Sequence, residues 1–216
     1  MNNSAPLASL RQDYRQQSLS ETEVSQDPLQ QFQIWFQHAQ DSEIIEPNAM
    51  TLATASPDGK PSARIVLLKG IQEDGFVFFT NYDSRKGRQI HDNPFGCLVF
   101  FWKELERQVR IEGVLGKTSN ADSDAYFATR PYESQVGAWS SPQSSVIESR
   151  SVLDKNVSDY KAKFQPDHVQ RPDHWGGYVL KPTLMEFWQG RTGRLHDRLQ
   201  YRKDQTGAWL LERLAP

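Results

Sequence analysis

The chain has 216 residues, with 25 Lys and Arg against 27 Asp and Glu, a net charge of −2 with histidine neutral. That length predicts one domain, or one domain with a short appendage, hiding about 70% of the open chain's surface. The near-balanced charge argues against a general nucleic-acid or acidic-lipid surface, and a single cysteine, Cys97, excludes a disulfide framework or a cysteine-rich metal site.

No apolar run reaches the roughly 18 residues of a membrane helix, and the start carries no apolar signal segment, so the expectation is a soluble, cytoplasmic protein. Residues 1–26 are rich in Ser, Gln, Arg and Glu and predict a mobile tail ahead of a single domain over 27–216. Asp27 and Pro28 form a helix start, and Leu29, Phe32, Trp35, Phe36 and Ala39 recur at helical spacing. Strand patterns follow at Ala49–Ala55, 62–69 and 76–80, separated by turns at 56–60 and 72–75 that each contain Asp-Gly. A short polar helix over 84–91 precedes two longer strands, Phe95–Trp102 and Arg107–Lys117. Residues 120–164 read mostly as helix broken at Pro131 and Pro142, and strands return at 175–180, 185–189, 195–202 and 208–211. Eight or nine strands and three or four helices predict a mainly β (α+β) protein, an antiparallel barrel with helices outside.

Several familiar chemistries lack their residues. Gly116, Lys117 and Thr118 resemble the end of a phosphate loop, but position 111, where the pattern needs glycine, is Ile. The chain has no G-x-G-x-x-G, H-E-x-x-H or G-x-S-x-G, and His168 and His174 fall in a Pro- and Asp-rich loop typical of solvated histidines.

Four clusters do carry chemistry. Arg85 and Lys86 open the helix that begins near Ser84, the end where cations are electrostatically misplaced; they are either solvated or matched by an anion. Arg64 and Lys69 bracket the apolar stretch Ile65, Val66, Leu67 and Leu68, and their heads either reach water or meet a polar ligand. Tyr126 and Arg130, four apart, share a helix face, and Pro131 starts a new helix with Ser134 near its N-terminus, a plausible cradle for a phosphate monoester. Arg194, His196 and Arg198 alternate along a predicted strand beside Trp188, three potential cations on one face that call for an anionic or planar polar ligand. In the tail, Arg11 and Tyr14 are a cation and an aromatic able to fold over such a ligand. Two phosphate-like sites with few nucleophile or metal candidates suit an enzyme whose cofactor does the electron work.

These blocks closely resemble the pyridoxamine/pyridoxine 5′-phosphate oxidases from about residue 11 to the C-terminus. The resemblance rests on residues 64–69, 84–86, 106–109, 130–139, 143–145, 187–190 and 194–198, in that order. It implies an FMN-binding antiparallel split β-barrel with flanking helices, a homodimer with FMN at the subunit interface. It also implies oxidation of pyridoxamine 5′-phosphate or pyridoxine 5′-phosphate to pyridoxal 5′-phosphate, with O2 leaving as H2O2 and ammonia released from the amine. By the same resemblance Arg64, Arg85, Lys86, Gln143 and Ser144 hold the FMN phosphate and ribityl chain. Residues Ile65, Val66, Leu67 and Leu68, with Phe79 and Thr80, line the flavin, and Gln108, Trp188 and Arg198 contact it. Lys69, Tyr126, Arg130 and Ser134 grip the substrate phosphate, Arg194 and His196 face the pyridine ring, and Arg11 and Tyr14 cover the site. The alternatives are a split-barrel flavoprotein with another redox partner and a vitamin B6 phosphate carrier without turnover.

Overall fold

The computed structural model describes residues 13–72, 75–166 and 168–216. Arg11 and part of the 72–75 turn therefore lie outside the described residues. The chain divides into two compact units, one taking the residues up to Pro47 with Val99–Ile111 and Leu184–Pro216, the other Asn48–Leu98 and Glu112–Thr183. No helix among the described residues is long and apolar enough to cross a membrane.

In the first unit, residues 13–26 form neither helix nor strand. The part of the expected mobile tail that is described is nevertheless fastened: Leu19 is buried, its N–H donates to Asp197 (3.1 Å), and the Tyr201 hydroxyl donates to the Ser25 carbonyl (2.6 Å). Helix α1 (Pro28–Gln40) starts as expected, the Asp27 carboxylate accepting the Leu29 N–H (2.9 Å). Its apolar face packs Phe32 on Phe100 (5.1 Å between ring centroids) and Trp35 edge-on to Phe187 (5.2 Å). Each such ring removed from water contributes about 1.5–3 kcal/mol, enough to anchor a helix of this length.

The second unit carries the strands β1 (Ala49–Ala55), β2 (Pro61–Leu67), β3 (Gly70–Gln72) and β4 (Gly75–Asn81), helix α2 (Arg85–Asp92), and part of β5 (Phe95–Trp102), β6 (Arg107–Lys117) and β7 (Trp175–Gln189). The strand order is β2-β1-β5-β6-β7-β4-β3. β1 and β2 form the expected antiparallel hairpin, Ala49 opposite Leu67 and Ala55 opposite Pro61. Helices α3 (Asn120–Ala128), α4 (Tyr132–Ser140) and α5 (Arg150–Lys163) flank the sheet, so the described residues hold five α-helices rather than three or four. Phe127, Ala138, Val169 and Trp175 form the core beneath α3 and α4. In the first unit, β8 (Asp197–Lys203) pairs antiparallel with β7 and β9 (Trp209–Arg213) with β8.

Two sequence expectations are corrected. The predicted strands 175–180 and 185–189 are one strand, β7, continuous through Pro182. β4 pairs with β7 only as far as Leu180 and pairing with β8 starts at Leu184, so Pro182 sits in the gap where one partner gives way to the next. The strand predicted from 195 begins only at Asp197, because Gly193 (φ 64°) and Arg194 (φ 62°) coil into a 3-10 turn over Thr192–Arg194. Arg194, His196 and Arg198 therefore do not share a strand face.

Candidate active site

A cavity of about 1000 Å³ opens in the second unit, at the top of the range for small-molecule sites. Arg64, Lys69, Arg85, Lys86 and Arg130 line it, and no carboxylate stands among the described residues of its wall. Lys86 is buried and Arg64 and Arg130 are half-buried, three cations that are costly to hold without a counter-ion unless the site takes an anion, while Lys69 and Arg85 at the wall are exposed.

The α2 end of the cavity is built from the helix start. Ser84 is the N-cap, its hydroxyl accepting the Gly87 N–H (3.3 Å), and the first turn contains no acidic residue. Gly87 is required here, because a Cβ would lie 2.0 Å from the Tyr82 carbonyl oxygen. Lys86 folds back into the protein, 9% exposed, its Nζ donating to Thr80 Oγ1 and Gln143 Oε1 (3.0 Å each). Burial, and secondarily the charge of Arg64, lowers the Lys86 ammonium to about 8. Arg64 donates only to neutral oxygens, the Leu52 carbonyl (3.1 Å) and Thr54 Oγ1 (2.7 Å) among them, and burial followed by the Arg85 charge pulls it below its ordinary value. Gln89 Oε1 accepts from both Thr54 and Ser62 (2.7 Å each) and so orients the oxygens that hold Arg64. Thr54 and Gln89 escaped the sequence reading, since nothing local links positions 54, 64 and 89. Ser144 completes this end at φ 72°, a backbone conformation that costs a non-glycine residue of order 1 kcal/mol.

The described wall also includes Tyr126, Arg130 and Ser134. The sequence placed Tyr126 and Arg130 on one helix face, but α3 ends at Ala128 and Arg130 lies beyond it. Its guanidinium stacks on Trp175 instead, 4.5 Å from the ring centroid, and its buried Nη1 has no hydrogen-bond partner among the described residues. Burial lowers its affinity for its proton. Pro131 starts α4 as expected and its carbonyl accepts the Ser134 N–H (2.8 Å). Ile65, Val66, Leu67 and Phe79 also line the cavity, the last stacked on Tyr126 (3.9 Å). Leu68 is buried and is not part of the described wall.

The remaining predicted residues belong to the first unit. Gln108 is half-buried in β6. Trp188 lies 4.7 Å from His196, and Tyr14 stands edge-on to Trp188 (5.6 Å) and to His196 (5.8 Å). His196 Nδ1 accepts the Arg191 N–H (3.1 Å), and burial, then the Arg194 charge, lowers the ring below its ordinary value; both favour neutral imidazole. Arg198 does not wait for a ligand anion, as the sequence suggested. It is paired with Glu186 (Nε to Oε1 2.8 Å), which also binds Arg110 (2.7 Å). Burial pushes the Glu186 carboxyl up, yet the hydrogen bonds from both arginines outweigh it and hold the group below its ordinary value.

Comparison with known proteins agrees with this architecture. The fold is that of the FMN-binding split-barrel proteins: PhzG from Burkholderia lata 383, solved in complex with tetrahydrophenazine-1-carboxylic acid, superposes with a TM-score of 0.85 at 29% identity, over 90% of this chain and 95% of that one. A pyridoxamine 5′-phosphate oxidase-related, FMN-binding protein of Nostoc punctiforme PCC 73102 gives a TM-score of 0.70 at 19% identity, over 89% of this chain and all of that one. Residues 36–164 match the family model described as pyridoxamine 5′-phosphate oxidase, and residues 175–216 that of the pyridoxine 5′-phosphate oxidase C-terminal dimerisation region. A pyridoxine/pyridoxamine 5′-phosphate oxidase of Cyanothece sp. strain PCC 7425 is 60% identical over 97% of this chain and 98% of its own length. The chain belongs to the pyridoxamine 5′-phosphate oxidase family of oxidoreductases.

Proposed function

We propose that the protein oxidises pyridoxamine 5′-phosphate and pyridoxine 5′-phosphate to pyridoxal 5′-phosphate in the cytoplasm, using FMN and O2, as a homodimer with FMN at the subunit interface. The observation that carries this reading is a cavity whose described wall holds five cations and the apolar Ile65, Val66, Leu67 and Phe79 but no carboxylate, which suits flat, phosphorylated molecules. The buried Nη1 of Arg130, without a hydrogen-bond partner among the described residues, supports a phosphate there, since such a donor is costly to leave unsatisfied.

Bound FMN would supply two-electron transfer from the substrate carbon to O2, giving H2O2, and for the amine a water molecule would provide the aldehyde oxygen as ammonia leaves. In this reading Arg64, Arg85, Lys86, Gln143 and Ser144 hold the FMN phosphate and ribityl chain. Ile65, Val66, Leu67, Phe79 and Thr80 flank the flavin, and Gln108, Trp188 and Arg198 are further contacts. Lys69, Tyr126, Arg130 and Ser134 grip the substrate phosphate while Arg194 and His196 orient its ring. Orientation alone can supply several kcal/mol of the barrier, so the scheme needs no protein nucleophile.

The test is the visible spectrum of the FMN-loaded protein. Pyridoxamine 5′-phosphate added without oxygen should bleach the flavin, and air should restore it with formation of H2O2. Flavin bound but never bleached by either phosphate would favour a carrier or another redox partner; bleaching instead by tetrahydrophenazine-1-carboxylic acid, the compound in the PhzG complex, would favour a different redox substrate.

A further inference from the structure

Glu106 and Arg107, adjacent at the start of β6, are both almost wholly buried, 5% and 4% exposed. Glu106 joins the 3-10 turn Lys103–Leu105 to β6 at φ 54°, a left-handed conformation that costs a non-glycine residue of order 1 kcal/mol. Its Oε2 accepts two main-chain N–H groups, those of Arg15 (2.9 Å) and Gln16 (3.1 Å). Arg107 takes the next residue, donating to the side-chain oxygen of Gln17, while its Nε donates to Gln189 (2.9 Å) and its guanidinium lies over Trp35 (4.3 Å). The Glu106 carbonyl accepts the Gly190 N–H (2.8 Å). Two consecutive residues thus hold both segment 15–17 and the turn that follows Trp188.

Tyr14 is the residue this arrangement delivers. Its ring rests on Gly190, where a Cβ would fall 2.6 Å from Tyr14 Cγ, and it stands edge-on to Trp188 and His196. Segment 13–19 has no helix or strand ladder of its own, so its order depends on such bonds. A carboxylate accepting two N–H groups is a strong form of them.

We propose that Glu106, supported by Arg107, is a positioning residue for the oxidation: it latches residues 15–17 so that Tyr14 is held across Trp188 and His196. The proposal rests on the oxidase reading, which assigns His196 to the substrate ring.

The latch itself is read without any ligand, by hydrogen exchange at the amides of Arg15 and Gln16 in the full chain. Glu106→Ala should speed that exchange about tenfold or more, and Glu106→Gln, which keeps an acceptor oxygen but not the charge, should fall between. Unchanged exchange in both variants overturns the latch; if the alanine variant does not fold, the glutamine variant decides alone. Its role in the reaction is read with FMN-loaded protein and pyridoxamine 5′-phosphate. Glu106→Ala should raise KM about tenfold with kcat altered less than about threefold, Tyr14→Ala should do the same, and the double variant should be no worse than either. Effects that multiply, or a lowered melting temperature with KM unmoved, overturn the proposal. Failure of the unaltered chain to turn over at all would instead sink the oxidase reading, so the two failures are distinguishable.

Discussion

Replacing Lys86 with Met should separate the cost of the cavity from its use. Lys86 sits at about 8 rather than 10.5, a difference equivalent to about 3 kcal/mol. The folded state holds this proton less tightly than the unfolded chain does. Below pH 8 the ligand-free protein therefore carries the whole penalty, and it gains stability as pH rises from about 8 toward 10.5. Lys86→Met should make the ligand-free protein more stable at pH 7, by about 2–4 kcal/mol in urea denaturation, and should abolish that alkaline gain. Binding of FMN reverses the sign. A phosphate beside the ammonium favours its protonated form, so wild-type affinity should be flat between about pH 7 and 8 and weaken by up to about tenfold per pH unit above that. Loss of the charge-assisted bond, about 1.5–3 kcal/mol, should weaken FMN binding about 10- to 150-fold at pH 7, measured by flavin fluorescence titration. Unaltered FMN affinity in the variant would remove Lys86 from the phosphate site, and a variant less stable than the parent at pH 7 would show that burial of its ammonium carries no such penalty.

Arg130→Lys should raise KM for pyridoxamine 5′-phosphate about 10- to 100-fold in steady-state assays, because an ammonium cannot both stack flat on Trp175 and present the free Nη1 donor. Glu186→Gln should cost about 1–3 kcal/mol in urea denaturation, since Arg110 and Arg198 lose their shared carboxylate. Because Glu186 is held below 4.5, its contribution is present above that pH and lost as pH falls through the folded value, and the variant should lack this acid step. The His196 ring should titrate below pH 6.5 by NMR, and Arg194→Ala should move the midpoint upward by removing a neighbouring charge.

Local chemistry made much of the fold legible. Asp27 with Pro28, Ser84 and Pro131 mark helix starts where the structure has them, and β1, β5 and β6 run over the residues that their alternation indicates. Caps, proline geometry and two-residue periodicity act within a few positions, so a chain read in order reveals them. The cationic clusters at 64–69, 85–86 and 130–134 were visible for the same reason, as charges where an isolated element would not place them.

What the sequence determined by itself, then, was which segments are strand or helix and which residues are chemically out of place. Tertiary structure alone decided their partners. Lys86 meets Gln143 57 positions away, Arg198 finds Glu186 across the β7–β8 pairing, and Glu106 takes the N–H of Arg15 from a distance of 91 positions. Pro182 falls where β7 changes partner from β4 to β8, and the turn at Arg194 breaks an alternation that the residue types alone suggested. These contacts depend on strand order and on the burial that packing imposes, quantities with no local signature.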